Sequence, residues 1–131
     1  MTRHALITRN AALDAIAALC NGGILRFYEG SQPATPETAP TGNQLCELRL
    51  SATAFFPAAG GSVVAKPITG DTAAALSGKA GWFRIFKTDG TTAVIDGKIS
   101  TAGAEINMNN LQIQAGAIVE CASLTISLNN S

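Results

Sequence analysis

Few residues of this chain are able to carry protons, ligate a metal or attack carbon. They are one imidazole, His4; four aspartates, Asp14, Asp71, Asp89 and Asp96; five glutamates, Glu29, Glu37, Glu47, Glu105 and Glu120; and three cysteines, Cys20, Cys46 and Cys121. A nucleophilic triad needs a positioned base. His4 lies on a terminal segment of the kind that frays, and no G-x-S-x-G elbow occurs. The carboxylates have structural roles close at hand. Asp89 and Asp96 each precede a glycine and suit hairpin turns, Asp14 belongs to the outward or N-terminal part of a helix, and Glu47 and Glu120 fall at outward positions of strands.

The run from Asp89 to Asp96 lacks the alternating early oxygen ligands and distal Glu of an EF-hand loop. Gly70 to Lys79 fails as a phosphate loop, because the spacing to Gly78 is too long and Ala80 stands where Ser or Thr would ligate magnesium. The cysteines are odd in number, with no C-x-x-C pair and apolar neighbours, which predicts buried free thiols. The expectation is a protein that is not an enzyme and has no catalytic set, cofactor, metal or small-molecule substrate.

Composition bounds the partners. The 131 residues are 47% hydrophobic and 14% charged, with nine basic residues against nine acidic. Such a chain folds, and it carries no net field for a phosphate backbone. Trp82, Phe83 and Phe86 with Arg84 and Lys87 invite comparison with a base-stacking strand. Strand alternation divides them, with Trp82, Arg84 and Phe86 on one face and Phe83, Ile85 and Lys87 on the other, so nucleic acid is not expected. Weak self-repulsion favours association. The longest apolar run, Ala11 to Cys20, is interrupted by Asp14 and is too short for a membrane span, and Arg9, Asn10 and Asp14 break up any leader-like region. A non-secreted protein without a membrane partner is expected.

The elements that would position these groups follow from periodicity. An Ala-rich stretch over residues 10–21, with Asn10 or Thr8 as cap and Asn21-Gly22-Gly23 as stop, predicts a helix whose Leu13, Ile16 and Cys20 share a stripe. Residues 1–9 are expected as an N-terminal arm. From Gly23 the period becomes two. Strands are predicted over 24–29, 44–50 and 63–65, over the two sides of a hairpin turning at Asp89-Gly90, and over 118–128, with a reversal at Asp96-Gly97. Residues 30–43 hold three of the five prolines and are expected as an exposed arm. The pattern predicts one domain over residues 1–131, a mainly-β sandwich of jelly-roll type with about eight short strands across 23–128 and one N-terminal helix.

Three stretches carry a resemblance: Asn21-Gly-Gly-Ile-Leu-Arg-Phe-Tyr-Glu-Gly30 with Gln32-Pro33, Leu48-Arg-Leu-Ser-Ala-Thr-Ala-Phe55, and Gly81-Trp-Phe-Arg-Ile-Phe-Lys-Thr-Asp-Gly-Thr-Thr-Ala-Val-Ile-Asp-Gly97. Over most of residues 10–128 the chain is similar to a group of small tailed-phage virion proteins connected with jelly-roll cement or decoration proteins of the capsid lattice. The resemblance implies a structural protein made in the bacterial host cytoplasm and carried on the virion capsid surface. It would bind the major capsid protein as a dimer or trimer and bridge neighbouring shell subunits. A place in the tail or head–tail junction is the alternative. A carbohydrate- or receptor-binding sandwich is a second, which would need clustered exposed aromatics where this chain has Tyr28 and Trp82. Candidate partner contacts are Leu6 and Ile7 on the N-terminal segment, Gln32, Pro33, Pro36 and Pro40 on the proline-rich loop, and Tyr28 and Trp82 on the strands.

Overall fold

The computed structural model describes residues 3–128. One helix, α1 (Leu6–Leu19), precedes β1 (Ile24–Glu29), β2 (Gln44–Arg49), β3 (Ser62–Val64), β4 (Gly78–Phe86), β5 (Ala93–Ser100), β6 (Ile106–Asn107), β7 (Gln112–Ile113) and β8 (Thr125–Ser127). The main sheet runs β2-β1-β4-β5-β6, with β7 paired to β4, and a separate ribbon joins β3 to β8. The expected mainly-β architecture of eight strands and one helix is thus present, as a small sandwich: the curled main sheet forms one layer, and the helix and ribbon lie over its inner face.

The inner face is built by strand alternation. Antiparallel register sets Leu25 opposite Leu48 and Ile85, and Phe27 opposite Cys46 and Phe83. These side chains join Leu13, Ala17 and Cys20 of α1, Val63 of β3, and Leu124 and Ile126 in one buried cluster. A bulge between Phe27 and Tyr28 skips Leu45 in the pairing, and both Leu45 and Cys46 are then buried. Gly97 lies across from Phe83, whose ring covers it so closely that a Cβ there would collide.

The Asp89-Gly90 hairpin forms as expected. Gly90 takes the left-handed conformation at φ 72°, and Asp89 Oδ1 accepts the N–H groups of Thr91 and Thr92, each at 2.8 Å. The helix stop also holds, with Gly22 at φ 64° after Cys20.

Four expectations are corrected. The helix begins at Leu6, not at residue 10, so residues 6–9 of the expected arm are helical; Met1 and Thr2 lie outside the described residues. No side chain caps the helix at Ala5, and the Asn10 carboxamide accepts from Gly61 N–H instead (3.0 Å). Arg9 ties the first turns to the end of the fold through Leu128 O (3.3 Å). The long terminal strand over 118–128 is confined to Thr125–Ser127, because Val119 exchanges main-chain hydrogen bonds with Asp71 (2.8 and 2.9 Å) and so leaves the line of β8. Asp96-Gly97 makes no reversal. It lies in the middle of β5, opposite Arg84 and Phe83. The proline-rich loop is exposed over most of its length, as expected, and is tied back to the sheet. Glu29 N–H donates to Asn43 O (3.0 Å), Asn43 Nδ2 donates to Glu29 Oε1 (2.8 Å), and Pro33 and Pro36 are half-buried.

Candidate functional site

The outer face of the main sheet gathers the polar and aromatic residues of β1, β4 and β5. On β4 the same alternation that sends Phe83 and Ile85 inward sends Trp82, Arg84 and Phe86 outward. Opposite them stand Tyr28, Arg26 and Ile24 on β1, and on β5 Lys98 faces Trp82 and Asp96 faces Arg84. Cross-strand neighbours on one face are close enough for direct side-chain contact.

Tyr28 and Trp82, distant in sequence, stack with ring centroids 4.4 Å apart and planes 15° from parallel. The Arg84 guanidinium lies 5.3 Å from the Trp82 ring and grips Asp96 with two hydrogen bonds, Nε to Oδ1 at 2.5 Å and Nη2 to Oδ2 at 2.9 Å. Arg84 is only 2% exposed. Its second ceiling is the loop: Nη2 reaches Thr35 O at 3.5 Å, so residues 30–43 cross over this face. A Cβ at Gly81 would collide with the Gly30 carbonyl, which marks where the loop root rests on β4. Towards the open side Arg26 covers the Phe86 ring at 4.5 Å, bonds Glu47 Oε1 at 2.8 Å and donates to Gly90 O at 3.1 Å.

Chemically the charged groups of this cluster are paired rather than poised. The hydrogen bonds from Arg84 to Asp96 raise the guanidinium pKa against the opposing effect of burial. Burial also raises the Tyr28 phenol. Burial pushes the Cys20 and Cys121 thiols up to about 11 and Cys46 up to about 12, the last helped by the nearby Asp71 carboxylate. All three are buried free thiols, as expected, and at neutral pH they are protonated, which removes the nucleophilic form. Among the described residues no group of three or more His, Cys, Asp or Glu is arranged to hold a metal ion, and no helix is long and apolar enough to cross a membrane. The buried Trp82 indole N–H has no hydrogen-bond acceptor among them.

The candidate contact residues therefore divide. Tyr28 and Trp82 are corrected from partner contacts to a second, outer core: Trp82 is wholly buried and Tyr28 nearly so. Gln32 and Pro40 are exposed on the loop, and Leu6 and Ile7 are exposed on the first turn of α1, Ile7 at 79%. Alternation in the sequence already places Trp82 and Arg84 on one face, but the Asp-Gly signal at 96–97 mimics a turn and hides the partner of Arg84. Among the described residues five further large apolar side chains stand in solvent, Ile118 at 70% and Phe56 at 51% ahead of Leu19, Val64 and Leu76. Ile118 opens the stretch expected as the last strand, which forms only over Thr125–Ser127. No family model, curated protein or solved structure matches the chain.

Proposed function

We propose that this protein is a non-enzymatic structural component of a tailed-phage virion, a capsid cement or decoration protein that bridges and stabilises major capsid subunits. The observation that carries the reading is the contrast between an interior whose one buried charge, Arg84, is paired with Asp96 and a surface that leaves Ile7, Phe56 and Ile118 in water on a chain of zero net charge. Apolar surface of this kind gains free energy when another protein covers it. The sequence resemblance supports the virion setting, with the protein on the capsid surface after manufacture in the bacterial cytoplasm. Docking as a dimer or trimer on the shell would bury these patches between major capsid subunits.

Placement in the tail or head–tail junction uses the same surfaces with fewer copies. The carbohydrate- or receptor-binding alternative has less support, since the Tyr28–Trp82 stack lies under the loop and offers no open aromatic platform. Quantitative mass spectrometry of purified particles tests the proposal. A copy number in fixed proportion to the major shell protein is expected. A far smaller number moves the protein to the tail, and absence from particles overturns the virion role.

A further inference from the structure

Between β5 and β8 the fold leaves a strand position partly filled. Ile106 of β6 pairs in parallel with Ile99 of β5 and bridges in antiparallel fashion to Leu124, just before β8. At that end, then, the space between the two flanking segments is one strand wide. Glu105 closes the filled part: its side-chain Oε1 accepts from Lys98 N–H (2.9 Å) and its carbonyl from Thr125 N–H (3.1 Å). Residues 101–105 form a run of bends with Gly103 and Ala104 at the groove's edge, and beyond Glu105 the line of β6 continues as a groove bordered by Ile95, Asp96, Ser127 and Leu128, with Ile16 of α1 and Ile126 beside it.

Both walls of this groove present unpaired main chain. Lys98 N–H points away from β4, and peptide directions alternate along a strand, so the N–H and C=O of Asp96 share that outward sense. Exposure agrees. The Asp96 side chain is 1% exposed, yet the residue as a whole is half-buried, so solvent reaches its main chain. On the other wall, Leu128 N–H bonds Gly61 O on the β3 side while Thr125 N–H points to Glu105, which sends the N–H of Ser127 into the groove. Among the described residues neither amide has a partner across the groove.

The geometry points to a strand-accepting slot: an extended segment of another polypeptide inserts along the line of β6 and hydrogen-bonds to β5 on one side and β8 on the other. Continuity with β6 sets the width of the slot, and the free donors and acceptors on both walls select main chain as the occupant. Ile16, Ile95 and Ile126 select a segment with β-branched or small apolar residues at alternate positions and no charge directed inward. The slot goes beyond the assembly reading and does not depend on it, since particle stoichiometry tests the one and peptide insertion the other.

The test uses the full ¹⁵N-labelled chain and the blocked synthetic peptide Lys-Thr-Val-Thr-Val-Thr-Lys as probe. In the free protein the Asp96 and Ser127 amides should exchange with solvent at least about 100-fold faster than those of Phe83 and Ile85. Peptide should slow both and shift resonances confined to residues 93–97, 103–106 and 125–128. Ser127→Pro removes the groove-facing donor and spares the Ile126 and Leu128 donors directed at β3, so it should abolish the response. Ile16→Glu, a charge beside the groove, is the second block should the proline variant not fold. Three outcomes overturn the slot: no resonance shift with millimolar peptide, Asp96 and Ser127 amides already protected in dilute protein, or protection that rises with protein concentration alone, which would assign the groove to a second copy.

Discussion

On the inner face of β1, β4 and β5, Leu25, Phe27, Phe83 and Ile85 pack against the helix and the β3–β8 ribbon; on the outer face of the same three strands, Tyr28, Trp82, Arg84 and Asp96 pack beneath the proline-rich loop. Each face excludes water by a different means. The inner face relies on apolar area, on the order of 1.5–3 kcal/mol for each large side chain removed from water. The outer face buries an ion pair, whose mutual attraction largely offsets the desolvation of its two charges and adds little net stability. What the ion pair contributes is arrangement. It locks β4 to β5, orients the guanidinium under the Trp82 ring and offers Nη2 to the loop carbonyl at Thr35.

The largest expected effect lies on the inner side. Phe83→Ala should destabilise by about 3–5 kcal/mol, read as a lower urea midpoint, because it opens a cavity in a fully packed layer above Gly97. A loss near zero would mean that the inner face does not hold the sheet.

On the outer side, Asp96→Ala should destabilise by roughly 3–5 kcal/mol, since it strands the buried Arg84 charge. The double replacement Arg84→Met with Asp96→Leu should recover most of that loss, although the single Asp96 change does not. Tryptophan emission sharpens this test. If the pair also holds down the loop, the double variant stays folded while Trp82 emission shifts to the red as water reaches the ring; unchanged emission would show that the loop needs no guanidinium beneath it.

The smallest effect belongs to the hairpin that joins the two strands. Asp89 accepts from Thr92 Oγ1 and from the Thr91 and Thr92 amides, and these bonds hold its carboxyl well below the usual range. A depressed carboxylate contributes stability that is present above its unfolded value of about 4 and is lost as pH falls through the lower folded value. Urea midpoints of the native chain and of Asp89→Ala should therefore differ at pH 7 and converge as the pH falls below about 4. A gap that stays constant with pH would show that the contribution of Asp89 does not depend on its charge, and no gap at any pH would assign the turn to Gly90 alone.

Signals carried within a few residues were legible in the sequence. Alternation over 44–50 sets Cys46, Leu48 and Leu50 inward with Glu47 and Arg49 outward, and the structure has that arrangement. Asp89-Gly90 turns, and Gly22 ends the helix. The start of the helix was not legible, because Ala5 provides no side-chain cap and the one strong capping residue, Asn10, is engaged with Gly61 across the fold. Of the candidate contacts, Ile7 stands in solvent while Trp82 does not, and nothing local distinguishes them: both are large apolar side chains near charged neighbours.

By itself, then, the sequence determined the strand-rich class, the inward face of each clear strand, the tight turn and the scarcity of groups able to do chemistry, since all of these rest on residue type and on periods of two or a few residues. Only the tertiary structure decided that Asp96 pairs with Arg84 instead of turning the chain, that Tyr28 meets Trp82, that the proline-rich loop lies over them, and that a strand position beside β6 is left open. Each of those depends on segments far apart along the chain coming within a few ångströms. Register and loop closure set such meetings, and neither leaves a local mark on composition or periodicity.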